Sequence, residues 1–159
     1  MRHAPAPTST PQNQQAGIAP PRTAILAEAR RWIGTPYHHR ASVCGVGTDC
    51  LGLIRGIWRA LYGDEPEPLP DYTSDWAEAT GREDMLAAAL RHFQPTGTPC
   101  PGDILLFRLR VKGPARHVGI LSEGEGRLTL IHALSPHFVT EAPLTDHWQR
   151  RVAAAFTFP

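Results

Sequence analysis

The hydrophobic pattern of this chain changes period once, and that change limits what the chain can fold into. Up to about residue 92 the apolar residues recur at helical spacing; from residue 103 they alternate with a period of two. Ile25, Leu26, Ala29, Trp32 and Ile33 fall at i, i+1, i+4, i+7 and i+8, which predicts a helix over 23–33, stopped by Gly34-Thr35-Pro36. Leu53, Ile54, Ile57 and Leu61 line one face of a second helix over 50–62, closed by Gly63. A third helix is expected over 82–92, ahead of Pro95. Strands are expected at 103–108, 117–122, 128–133, 137–141 and 151–158. Helices first and an antiparallel meander second make an α+β fold.

A chain of 159 residues holds one domain with a sizeable core. Residues 1–22 are rich in Pro, Ala, Thr and Gln, a composition that buries too little apolar surface to order itself without a partner. The domain is therefore 23–159, with an N-terminal arm before it. The arm has no continuous apolar stretch of the kind a secretory signal needs, and no run approaches the ~20 apolar residues that span a bilayer. If the protein acts outside the cytoplasm, something else is expected to carry it there. A net charge of +1 gives no reason to expect a nucleic-acid partner. Residues 64–84 form an acidic, Pro-containing connection.

The chemistry centres on G-T-D-C-L-G-L-I, 47–54. Cys44, Cys50 and Cys100 make no C-x-x-C pair, so neither a zinc site nor a disulfide framework is suggested. Asp49 is a good N-cap, which places Cys50 in the first helical turn. There the helix dipole and unsatisfied N–H groups favour a thiolate. The alternative is a small buried core residue, since free Cys is among the most buried types. A nucleophilic thiol needs a base, and the base needs an orienting partner. His117 opens one expected strand and His132 nearly closes the next. With 123–126 as a four-residue hairpin loop, the opposed pairs are 122/127, 121/128, 119/130 and 117/132, so the two histidines face each other. A slip of two residues keeps them on one face; a slip of one separates them. A hydrogen-bonded core pair is the competing explanation. His38-His39 are expected to be loop residues bordering the cleft. The cationic run R-L-R-V-K-G-P-A-R, 108–116, leads into His117 and is either a carboxylate-binding loop or a solvated hairpin tip.

W-I-G-T-P-Y (32–37), G-T-D-C-L-G-L-I (47–54), P-G-D-I-L-L-F (101–107), H-V-G-I-L (117–121) and I-H-A (131–133) occur in that order. Together they resemble the NlpC family of papain-like cysteine peptidases, bacterial wall enzymes that typically cut the γ-D-glutamyl–diamino acid bond of peptidoglycan stem peptides. The resemblance implies a papain-like fold, with N-terminal helices packed on a C-terminal antiparallel sheet, and no metal or cofactor. It implies Cys50 as nucleophile, His117 as base and His132 as the residue that orients it. Tyr37 would line the site, and Asp49 would hold the amino terminus of the stem peptide. Many members have serine after the cysteine, where it helps bind the substrate amine; this chain has Leu51. D-C-L-G-L-I-R-G-I-W-R, with Y-H-H-R-A-S-V-C-G-V-G, is most similar to the branch found in phage tail modules and gene transfer agents. That branch implies a protein made in the bacterial cytoplasm, mounted on a tail or hub protein through its arm, and acting on the wall in the periplasm. A non-catalytic tail adaptor and an amidase or transamidase are the rival classes.

Overall fold

The computed structural model describes residues 18–69 and 81–159. Residues 1–17 of the expected arm and 70–80 of the acidic connection lie outside the described residues. The chain runs α1 (Arg22–Arg31), β1 (Ser42–Val43), β2 (Gly47–Thr48), α2 (Cys50–Tyr62) and α3 (Asp84–His92). The sheet strands follow: β3 (Gln94–Pro95), β4 (Ile104–Arg108), β5 (Ala115–Gly124), β6 (Arg127–His132), β7 (Thr140–Pro143) and, after the one-turn helix α4 (Asp146–Gln149), β8 (Val152–Thr157). The six strands are antiparallel in the order β3-β8-β4-β5-β6-β7, which is the expected α+β arrangement.

The sheet carries apolar side chains on both faces. On one, Ile104, Leu106, Val118, Ile120, Ile131 and Phe156 pack against Ile25, Ala29, Trp32, Leu53, Ile54 and Ile57 of the helical layer. On the other, Leu105, Phe107, Leu121, Leu130, Leu144 and Ala155 form a second, smaller cluster with Trp148 against it. Period-two alternation assigns alternate residues of β4, β5 and β6 to the two clusters.

Helix α2 is central, and its position depends on close approach. A Cβ at Gly56 would stand 2.0 Å from Cζ2 of Trp32, and one at Gly52 would stand 1.9 Å from the carbonyl oxygen of Ala41. The indole of the residue after α1 therefore lies directly on the α2 backbone, and the loop before β1 crosses the first turn of α2. At its start, the Asp49 carboxylate accepts from the Gly52 N–H at 2.7 Å; at its end, Gly63 adopts φ 90° and donates to the Arg59 carbonyl.

Three expectations change. The β5–β6 hairpin has a two-residue loop, not four: Gly124 pairs with Arg127 and Ile120 with Ile131. Glu125 and Gly126 both take positive φ, 52° and 74°, the geometry of the type I′ turn that matches strand twist. The register moves by two, so His117 and His132 are diagonal rather than opposed, on the same face. The strand expected at 137–141 begins only at Thr140, because 137–139 turns to pair with 34–37: Gly34 N–H to Val139 O, Val139 N–H to Thr35 O, Tyr37 N–H to His137 O. The short elements β1, β2, β3 and α4 carry too few residues to show a period.

Candidate active site

The α2 N-terminus meets the sheet where the β5–β6 ladder ends. Leu121 donates to Asp103 on the β4 side, so by strand alternation the Val118 N–H points toward β6. The β5–β6 ladder starts only at Ile120–Ile131, which leaves that amide without a strand acceptor. It points instead at the Cys50 sulfur, which also receives the N–H groups of Leu51 and of Cys50 itself. A half-buried thiol is thus held against the residue that follows His117.

Burial, followed by the Asp49 carboxylate, pushes the Cys50 thiol up to about 12, against the pull of the three amides. The expected helix-end effect is worth only about 0.3–1 kcal/mol. Taking a thiolate out of water beside a carboxylate costs more, so the resting group is the thiol.

His117 and His132 are buried, and Nε2 of His117 lies 2.8 Å from Nδ1 of His132. Burial, then His132 and Arg116, pushes His117 down to about 3. Burial pushes His132 down to about 4. Both rings are therefore neutral at neutral pH, and one proton occupies the contact between them. With Nε2 of His117 engaged, Nδ1 is the nitrogen left to take a proton from a thiol. Strand alternation sets both rings on the face of Phe107 and Leu130, away from the helical layer, while Cys50 packs against the cluster on the helical side.

Tyr37 stands beside Cys50 and Asp49. Burial, with Cys50 and Asp49 after it, pushes its phenol up to about 12, so it stays protonated and able to donate. Asp49 is buried, and its two oxygens accept from the Gly52 and Arg40 amides at 2.7 Å each; Nδ1 of His39 is 3.8 Å from Oδ2. Its carboxylate thus caps α2 and ties down the preceding loop. Leu51 lines a cavity of about 490 Å³ with Ile54, Trp58, Met85, Phe93 and Val118.

The cationic run is anchored at its base. Arg108 pairs with Glu83 and donates to Gly113 O at 2.9 Å, and Glu83 also accepts from the Ala115 N–H. The His38 ring packs over Gly47. Among the described residues no group of three His, Cys, Asp or Glu is placed to hold a metal ion. No described helix is long and apolar enough to cross a membrane.

One neighbour of the site was not anticipated. Trp148, on α4, has its ring centroid 5.4 Å from that of His117 and 5.1 Å from that of His132. The only sequence hint is T-D-H-W-Q, a capping residue before four residues too few to show a helical stripe.

A family model described as NlpC/P60 matches residues 34–157. No curated protein matches the sequence. Among solved structures, the NlpC/p60 domain of the peptidoglycan hydrolase SagA is 25% identical, with TM-score 0.54, over 86% of this chain and 98% of that one. An NlpC/P60 family protein from Bacillus cereus ATCC 10987 is 20% identical, with TM-score 0.61, over 89% of this chain but 41% of its own length. An N-acetylmuramoyl-L-alanine amidase from Bacteroides uniformis ATCC 8492 shares the fold at 12% identity and TM-score 0.52, over 85% of this chain and 96% of that one. With the ordered motifs, the papain-like layering and the match over 34–157, the chain belongs to the NlpC/P60 family.

Proposed function

We propose that this domain hydrolyses an amide of peptidoglycan stem peptides, the γ-D-glutamyl–diamino acid bond, as a cysteine peptidase. The observation that carries the reading is the 2.8 Å contact between His117 and His132, one residue from the amide that points at the Cys50 sulfur. Nδ1 of His117 takes the thiol proton as the sulfur bonds to the substrate carbonyl carbon. His132 accepts the Nε2 proton of His117 and so fixes its tautomer, the orienting role of the third member of a triad. The Cys50 amide, at the start of α2, is the candidate donor to the oxyanion. Collapse breaks the C–N bond, and the imidazolium gives its proton to the leaving amine. Water, deprotonated by His117, then attacks the thioester and restores the thiol.

Asp49 and Tyr37 are the proposed substrate-binding residues. The Asp49 carboxylate already accepts two amides, and the next residue is Leu51, so a substrate amine meets fewer acceptors here than in members with serine. The test is digestion of purified peptidoglycan, with products identified by mass spectrometry. Wild type is expected to release fragments ending in D-Glu, and Cys50→Ala none. Clearing by Cys50→Ala, or products cut at the muramoyl–L-Ala amide, would overturn the assignment of nucleophile or bond.

The reading includes delivery on a phage-like tail, with residues 1–22 as the docking segment. Its support is the sequence run D-C-L-G-L-I-R-G-I-W-R. Immunoblotting of purified tail particles tests it, and a protein confined to the cytosolic fraction would sink it.

A further inference from the structure

The one-turn helix α4 buries none of its residues, yet its turn is closely held. Gln149 N–H donates to Thr145 O and Arg151 N–H to Trp148 O, both at 2.9 Å; the Gln149 side chain donates to Leu144 O, and Leu144 N–H donates to Leu128 O. The product of this fixing is the placement of one side chain. The Trp148 indole lies 5.1 Å from Phe107 at 72°, 5.4 Å from His117 at 33° and 5.1 Å from His132 at 86°, all centroid to centroid. It is the shared neighbour of both histidines and joins them to the second apolar cluster.

From this geometry we propose that Trp148 is a positioning residue for the His117–His132 pair: it locks both rings and keeps water from the hydrogen bond between them. It also presents an aromatic face to His117 when that ring becomes cationic. The proposal rests on the reaction proposed above. A proton moving onto His117 makes a cation in surroundings that oppose it, and the neutral His132 offsets this less than a carboxylate would. An aromatic ring within about 6 Å of a cation supplies attraction without adding charge. The 5.4 Å separation of the His117 and Trp148 centroids lies within that range.

The test compares Trp148→Phe, which keeps an aromatic face, with Trp148→Leu, which keeps bulk alone. Peptidoglycan digestion is read as kcat and KM, and the N–H proton between the histidines is read by NMR as its exchange with water. Trp148→Leu is expected to lower kcat about tenfold or more with little change in KM, and to speed exchange of that proton. Trp148→Phe should recover most of kcat and slow exchange again. Equal losses in both variants that follow their melting temperatures would reduce Trp148 to a packing role and overturn the proposal. Wild-type kcat and unaltered exchange in Trp148→Leu would do the same. If the wild-type chain releases no product, the proposed reaction fails, while the exchange arm still decides for or against Trp148.

Discussion

At the scale of the residue, Cys50 is set by opposing terms of unequal size. The helix end and three amides favour a thiolate; loss of water and the Asp49 carboxylate oppose it, and the second group wins. His117 does not offset this at rest, because it is itself held neutral by burial. Cys50 and His117 are therefore expected to rest as thiol and neutral imidazole, and under the proposed reaction charge appears only when substrate is attacked. The measurement is the pH dependence of Cys50 alkylation by iodoacetamide, with Cys44 and Cys100 replaced by serine. The rate should climb steadily above pH 8 with no plateau at acid pH. A plateau between pH 5 and 6 would mean a standing thiolate–imidazolium pair. D-C-L-G and H-V-G-I marked these side chains in the sequence. Their charge state was not legible there, because it depends on which groups exclude water from the sulfur.

At the scale of the element, α2 shows why local pattern and tertiary contact are different information. Its span, Cys50–Tyr62, coincides with the expected one, since Asp49 and Gly63 are strong end signals and Leu53, Ile54 and Ile57 make a clear stripe. Gly56 looks like a defect on propensity alone, where alanine would favour the helix by about 0.5–1 kcal/mol. The structure reverses that reading, because the Cβ would fall 2.0 Å from the Trp32 ring. Overpacking of this kind costs roughly 1–3 kcal/mol. Gly56→Ala should therefore lower the urea midpoint despite its better helix propensity. A raised midpoint would show that Trp32 can move aside at no cost. The β5–β6 hairpin carries a similar lesson: periodicity chose the shared face of His117 and His132, while turn geometry chose the register.

At the scale of the whole molecule, charged and titratable groups tie the helical layer to the sheet. Arg30 of α1 donates to Glu141 of β7 and to the Ser122 hydroxyl of β5, and Glu141 also accepts from Ser122 and Thr129. The Arg30 contact, then those with Thr129 and Ser122, holds Glu141 below the usual carboxylate range. A depressed carboxylate stabilises the fold above its unfolded value of 4.5, and this contribution fades as pH falls below that. The histidine pair acts at higher pH. Both rings have folded values below the unfolded 6.5, at about 3 and about 4, so the unfolded chain binds more protons between those limits. Stability should therefore fall as pH drops from 6.5 toward 4, by up to about 1.4 kcal/mol per pH unit for each histidine. Urea unfolding across this range checks it, and His132→Asn should reduce the slope by about half. A midpoint flat from pH 6.5 to 4.5 would contradict burial of the neutral pair.

The sequence by itself determined the three longer helices, the central strands of the sheet, the ends of α2, and the shared face of His117 and His132. These follow from periodicity, capping and alternation, all of which act over a few neighbouring residues. Only the tertiary structure decided that the α2 N-terminus abuts β5 where a ladder ends, that burial pushes the thiol up and the imidazoles down, and that the Trp148 ring lies beside both histidines. Each depends on what excludes water from a side chain, and the residues that do so come from segments far apart in the chain.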